Sequence, residues 1–312
     1  MKKIACMFPG QGSQKVGMGK KLYEADSEVQ SLYQTANRVL DKDLTSLMFE
    51  GPQEVLTETE NAQPALLLSS IASYTLLEKE GIQPSMVVGH SLGEYSALVA
   101  AGAIDVEEAL PLVQTRGRLM EKAFPKGQGT MAAVLGLDEE AIQAVVEKIE
   151  DEVVDVANLN CPGQIVISGS KAGVEEASER LKEAGARRVL PLNVSGPFHS
   201  RLMKDANEAF AKHLDRTKIR SAEIPVYANV TAQPVQEKDE IKQLLVEQLY
   251  SPVRFEQSIR HMIEEGVEAF VEVGTGTVLS GLVRKIDRSV KTFAIEDQES
   301  FEKFLSWYKE DA

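Results

Sequence analysis

An apolar run, Met86-Val87-Val88, ends in Gly89-His90-Ser91-Leu92-Gly93-Glu94, and the residues beyond it carry small side chains at helical spacing: Ala97, Ala100 and Ala101. No other stretch restricts the fold as much. Gly-x-Ser-x-Gly between a strand and a helix demands a sharp, strained reversal. Gly89 and Gly93 remove the side chains that would collide there, and Ser91 is left at the tip. Its hydroxyl then sits at a helix N-terminus, where free N–H groups and the helix dipole favour developing negative charge. A Gly/Ser turn that merely caps a helix is the plainer reading of the same residues. The matching strand and helix flanks favour a nucleophile.

The rest of the chain sets the bounds. With 312 residues there is room for one large or two ordinary domains and an ample core. Apolar residues make up 43% and charged residues 26%, the balance of a soluble globular protein. The formal net charge of −14, from 34 basic and 48 acidic residues, argues against nucleic acid and anionic membrane as general partners. The apolar run after Lys2-Lys3 stops at Pro9-Gly10, too early for a signal peptide, so a first strand is expected instead. No segment reaches the length of a membrane span. Two cysteines give neither a disulfide framework nor a metal spacing. A cytoplasmic protein without metal is the expectation.

Read in order, Lys3 to Phe8 predicts a buried strand, followed by the loop Gly10-Gln11-Gly12-Ser13-Gln14, which matches neither a dinucleotide fingerprint nor a P-loop. Helical periodicity covers Leu22 to Leu40 and Pro64 to Leu77. Asp105-Val106-Glu107-Glu108 fits a capping box for a helix reaching Met120. On that helix Arg116 shares a face with Ala109, Leu112, Val113, Leu119 and Met120, while Arg118 points away with Gln114 and Glu121. An inward guanidinium cannot shed its charge, so it needs an internal carboxylate or a ligand; the sequence leaves both open.

From Thr130 to Leu192 the order is strand, helix, strand, strand, helix, strand, that of a ferredoxin-like unit. Strands near Ile224 to Ala228, Ala269 to Val273 and Thr292 to Ile295 resume the α/β alternation, as does an amphipathic helix from Leu202. The expected fold is therefore α/β: a large doubly wound, mostly parallel sheet domain (1–127 and 196–312) with a small βαββαβ domain (128–195) inserted. Glu272-Val273-Gly274-Thr275-Gly276 is a further Gly-bearing strand-to-helix turn, read as a plain turn in preference to a place near a ligand.

A serine nucleophile needs a proton acceptor, and four histidines are available. His90 adjoins the nucleophile and leaves on another face of the turn. His261 falls on the polar side of its helix. His213 lies on an apolar stripe with Ala206, Ala209 and Phe210 and reads as a core histidine. His199, in the loop Gly196-Pro197-Phe198-His199-Ser200 at the junction of insert and main domain, remains as the base by elimination.

Gly10-Gln11-Gly12-Ser13-Gln14, Asn61-Ala62-Gln63-Pro64, Gly89 to Glu94, Arg116-Gly117-Arg118 and Pro197-Phe198-His199-Ser200, in this order and spacing, resemble the malonyl-CoA:acyl carrier protein transacylases of bacterial fatty acid synthesis. The likeness runs through essentially the whole chain. It implies malonyl transfer from malonyl-CoA to the phosphopantetheine thiol of acyl carrier protein, through a malonyl-serine intermediate, with no cofactor beyond the substrates and a monomeric enzyme. By match, Ser91 is the nucleophile, His199 the base and Arg116 the anchor of the malonyl carboxylate. Gln11 and the Leu92 N–H form the oxyanion site, and Gln63 and Asn160 lie nearby. The backbone carbonyl of Gln248 orients the histidine. Phe198 and Leu92 limit room at the malonyl α-carbon, which favours plain malonyl units. Thr275 stands where many relatives have proline.

An acidic carrier fits poorly with a net charge of −14, so a local basic docking patch is expected. Lys182, Arg187 and Arg188, or Arg284, Lys285 and Arg288, are the candidates, against ordinary solvated surface. Three rival readings remain: a serine hydrolase or thioesterase, a non-catalytic carrier-docking protein, and a transacylase serving polyketide assembly.

Overall fold

Ile4-Ala5-Cys6-Met7-Phe8 is apolar at every position because both faces of the strand it forms are covered. Ile4, Cys6 and Phe8 enter one core; Ala5 and Met7 enter another on the opposite face. The structure is a computed structural model that describes residues 2–310. Its strands, in chain order, are β1 (Ile4–Phe8), β2 (Met86–Gly89), β3 (Gly129–Leu135), β4 (Val154–Cys161), β5 (Gln164–Ser170), β6 (Arg188–Pro191), β7 (Val226–Tyr227), β8 (Pro234–Val235), β9 (Ala269–Val273) and β10 (Lys291–Ile295).

They form two sheets. The larger runs β10-β9-β1-β2-β7-β8, parallel except for the antiparallel β8 at its edge. The smaller is antiparallel, in the order β4-β5-β3-β6. The helices Glu139–Val146 and Lys171–Glu183 supply Ile142, Val146, Val174, Ala177 and Leu181 to a core on one face of the small sheet. Met131, Ala133 and Val166 face the other way, into the main core. The doubly wound sheet and the ferredoxin-like unit are both present as expected. A short parallel bridge joins them: the Leu159 N–H donates to the Val253 carbonyl at 2.9 Å and the Val253 N–H to Ala157 at 2.8 Å. Among the described residues no helix is long and apolar enough to cross a membrane.

Several local expectations are corrected. The helix predicted from Leu22 to Leu40 is two helices, Lys20–Ala25 and Ser27–Leu40, because the Asp26 carboxylate accepts from the Glu28 and Val29 N–H groups and starts a new helix. The second apolar helix begins at Thr59, not Pro64, and runs to Lys79 with Pro64 inside it. Asp105 does precede a helix, Val106–Lys122, but no capping box forms: its carboxylate is taken by Arg220, at 2.7 and 3.0 Å. Gln114 is buried, not outward, whereas Arg118 is exposed and pairs with Glu60. The segment from Leu202 is a 3-10 turn, Arg201–Ala206, followed by the helix Asn207–Arg216. That helix buries Phe210 and Leu214 and leaves His213 exposed, so His213 is no core histidine.

The glycines of the Ser91 turn are required by contact. A Cβ on Gly89 would lie 1.8 Å from the Gly93 carbonyl carbon, and one on Gly93 would lie 2.0 Å from the Phe8 carbonyl oxygen. Gly281, inside the helix Val278–Ile286, faces open space. Gly89→Ala is therefore expected to cost about 3 kcal/mol or more, and Gly281→Ala to add roughly 0.5–1 kcal/mol. Urea unfolding midpoints of the two variants check this; the opposite order would contradict the packing argument.

Candidate active site

The strand β2 delivers Ser91 to the turn, and the helix Gly93–Ala100 leaves from it. Ser91 has φ of 52° and His199 φ of 58°, a left-handed conformation that side chains other than glycine seldom adopt. Both strained residues meet at one point: Ser91 Oγ lies 2.8 Å from His199 Nε2. The His199 Nδ1–H donates to the Gln248 carbonyl at 2.9 Å, which leaves the Nε2 lone pair facing the hydroxyl. The carbonyl of Gln248 thus stands where the expected orienting group should be. Burial, with the nearby Arg116 charge, pulls His199 down to about 3, so the ring is neutral in ordinary conditions. A hydroxyl facing such a nitrogen can give up its proton as it attacks a carbonyl.

Arg116 reaches the same point from the helix Val106–Lys122 and is 0% exposed. Its Nη1 donates to Gln63 Oε1 at 2.9 Å; its Nη2 donates to Gln248 Oε1 at 2.9 Å and to Ser91 Oγ at 3.2 Å. The guanidinium carbon lies 5.3 Å from the centre of the Tyr95 ring, and Nε has no partner among the described residues. Two amide oxygens and a ring face hold the cation in place of a carboxylate. The sequence left open whether Arg116 would be a structural ion pair; among the described residues it forms none.

Gly10 brings the loop after β1 against the turn, since a Cβ there would sit 2.3 Å from the His90 carbonyl oxygen. Close approach of backbone to backbone is what Gly10 serves here. Gln11 lines the cleft, and its Nε2 donates to Thr59 Oγ1 at 3.2 Å. Neither the Gln11 nor the Leu92 N–H has a backbone acceptor among the described residues. His90 turns away from Ser91, its Nε2 2.8 Å from Asn160 Oδ1 and its ring against Phe255. Asn160 thus sits behind His90, and Gln63 behind Arg116. The cleft, about 130 Å³, is walled by Phe198 and by Asn158, a residue the sequence reading passed over. It shares Met131 and Val194 with a larger groove of about 670 Å³ along the helix Lys171–Glu183. Thr275 is elsewhere, its hydroxyl 2.8 Å from that of Ser69.

Two more residues escaped the sequence reading. Asn229 Oδ1 accepts from the Ser91 N–H at 2.8 Å, and its Nδ2 donates to the Gly89 carbonyl at 2.6 Å, so it clamps both ends of the turn. Glu94, 2% exposed, accepts from the Asn229 N–H at 3.1 Å and from Gln248 Nε2 at 2.8 Å. Burial pushes its carboxyl up to about 7, against the pull of those donors and of Arg116. A carboxylate beginning a helix that otherwise carries small and apolar residues was the available signal.

Among the described residues there is no group of three or more His, Cys, Asp or Glu side chains able to hold a metal ion. Residues 6–301 match the family model described as an acyl transferase domain. The chain is 54% identical to the malonyl CoA-acyl carrier protein transacylase of Bacillus subtilis (strain 168), over 100% of this chain and 99% of that one. It is 46% identical to the protein of the same name from Staphylococcus aureus (strain MRSA252), over 100% of both. Among solved structures, an acyl carrier protein S-malonyltransferase from Vibrio cholerae superposes with a TM-score of 0.95 at 44% identity, covering 97% of this chain and 100% of that one. A malonyl-transacylase in complex with a type II PKS acyl-carrier protein superposes with a TM-score of 0.95 at 41% identity, over 98% and 99%. A match of this extent, at this level of identity, settles descent: the chain belongs to the acyl transferase family.

Proposed function

We propose that this protein transfers the malonyl group of malonyl-CoA to the phosphopantetheine thiol of an acyl carrier protein, for fatty acid synthesis, through a malonyl ester on Ser91. The observation that carries this reading is a fully buried guanidinium that forms no ion pair among the described residues, 3.2 Å from the Ser91 hydroxyl. Such a cation is matched by an acyl group that ends in its own carboxylate, the feature that separates malonyl from acetyl.

In the first half-reaction Ser91 Oγ attacks the thioester carbonyl and its proton passes to His199 Nε2. The carbonyl oxygen, now an oxyanion, is held by the Leu92 and Gln11 N–H groups; one such donor typically lowers a barrier by about 3 kcal/mol. The carbon–sulfur bond breaks, and CoA leaves as a thiol with the proton from His199. The carrier's thiol then repeats the sequence in reverse, returning the proton to Ser91. One thioester becomes an ester and then another thioester, so the exchange is redox-neutral and these side chains suffice without a cofactor. Phe198 walls the cleft beside Ser91 and narrows it around the α-carbon, whereas the Leu92 side chain is buried in the main core and does not line it. A thioesterase acting on plain acyl groups would share Ser91 and His199 but would give Arg116 no carboxylate to bind.

The same reading includes a small inserted domain at 128–195 within a larger one at 1–127 and 196–312, supported by the separate sheets and by a core confined to 128–195 on one face of the smaller sheet. It also includes a monomeric, cytoplasmic protein, in keeping with two free buried cysteines. For the carrier, Lys182 is favoured over Arg284, Lys285 and Arg288, because Lys182 lines the groove that opens into the cleft. Arg187 and Arg188 are exposed on the same unit.

Four expectations follow from this reading. Intact mass after mixing with malonyl-CoA should show a malonyl adduct that Ser91→Ala lacks, and Arg116→Ala should shift preference from malonyl toward acetyl by about two to three powers of ten, the equivalent of losing a buried charge pair. An unchanged preference would remove the anchor role. Because His199 must be neutral to act and its pKa is depressed, first-turnover malonylation should hold as pH falls from about 7 to 5; loss with a midpoint near 6.5, the ordinary histidine value, would contradict this. Reversing the charge of Lys182, Arg187 and Arg188 together should slow carrier acylation about tenfold at low salt, whereas an unchanged rate excludes that patch.

A further inference from the structure

Glu94 has no part in the chemistry above, yet the Arg116 charge acts on its carboxyl. The two are joined through one side chain: Gln248 Oε1 accepts from Arg116 Nη2 at 2.9 Å, and Gln248 Nε2 donates to Glu94 Oε2 at 2.8 Å. The same Nε2 faces the Ser91 carbonyl at 3.0 Å and Asn229 Oδ1 at 3.1 Å. With three acceptors on one side and a cation on the other, the amide has one workable orientation. It therefore stands as a fixed spacer between a buried anion and a buried cation.

The spacing matters. In direct contact, a carboxylate would occupy the guanidinium fork and exclude a substrate carboxylate. With no carboxylate at all, the buried cation would have nothing but amides and a ring to offset its desolvation. It would then hold an incoming carboxylate very tightly, and tight binding of an intermediate slows the step that consumes it.

Resting on the transacylase reading, we propose that Glu94 is a built-in counter-charge for Arg116, held one amide away by Gln248, which limits how firmly the guanidinium grips the malonyl carboxylate and so keeps the malonyl-serine ester from becoming a resting state. Glu94 acts through Gln248 and touches no reacting atom, which makes it a positioning residue. Its carboxyl, raised by burial to about 7, carries its charge in mildly alkaline solution.

The test compares lifetimes of the malonyl-Ser91 and acetyl-Ser91 enzymes toward carrier protein, by rapid-quench intact mass at about pH 8, where Glu94 is ionised. In Glu94→Gln the malonyl enzyme should live about tenfold longer relative to the acetyl enzyme, with kcat and KM for malonyl-CoA falling together. Glu94→Asp, which keeps the charge, should restore the wild-type ratio. Malonylation should also raise the melting temperature of Glu94→Gln more than that of wild type, because the acyl carboxylate replaces the missing charge; a merely structural glutamate would destabilise both forms alike. Gln63→Glu gives an independent arm by placing a carboxylate directly on Arg116, and it should shorten the malonyl lifetime relative to acetyl. Lifetime ratios that ignore both Glu94→Gln and Gln63→Glu would overturn the proposal. Failure of the wild-type protein to form any malonyl adduct would instead overturn the function on which it rests.

Discussion

A buried positive charge with no directly bonded carboxylate among the described residues governs this site. Arg116 is enclosed completely, and a guanidinium cannot escape the cost of burial by losing its proton. The surrounding chain answers with oriented dipoles: amide oxygens from Gln63 and Gln248, and the face of Tyr95. Those groups come from three different helices, Thr59–Lys79, Lys238–Gln248 and Gly93–Ala100, so the cation ties together elements far apart in sequence. The charge also acts on its neighbours. It contributes to the depressed basicity of His199 and draws down the carboxyl of Glu94.

The second constraint is steric. Three glycines let backbone pass against backbone around Ser91: Gly89 against Gly93, Gly93 against Phe8, and Gly10 against His90. These contacts stack the turn after β2 under the loop after β1, which brings Gln11 to the cleft. Parallel pairing of β1 with β2, ending at Phe8 opposite Gly89, places both loops at the same end of the sheet. The unfavourable φ values of Ser91 and His199 persist because the packing and hydrogen bonds around them leave no alternative.

Sequence reasoning succeeded where a signal is local. The strand–turn–helix around Ser91, the βαββαβ order and the inward face of Arg116 are periodicities or tight spacings within one segment. It failed where a distant partner competed for a local group. Asp105 looks like the start of a capping box, but Arg220 claims its carboxylate. His213 looks like a core residue, but Phe210 and Leu214 already fill the buried face of its helix. Asn229 and Glu94 gave no periodic signal, because their roles exist only once the turn, the strand β7 and the helix ending at Gln248 have met.

What the sequence determined alone is the local menu: a sharp serine turn that only glycines permit, alternating strands and helices, and a cation facing a core. Each follows from side-chain volume and spacing within a few residues. The tertiary structure alone decided that this cation would have no ion pair among the described residues, that a backbone carbonyl would orient the histidine singled out by elimination, and that a glutamate would stand one amide from the arginine. Those outcomes depend on where charges and hydrogen-bond partners lie in space, which the folded arrangement of separate segments sets and no single segment encodes.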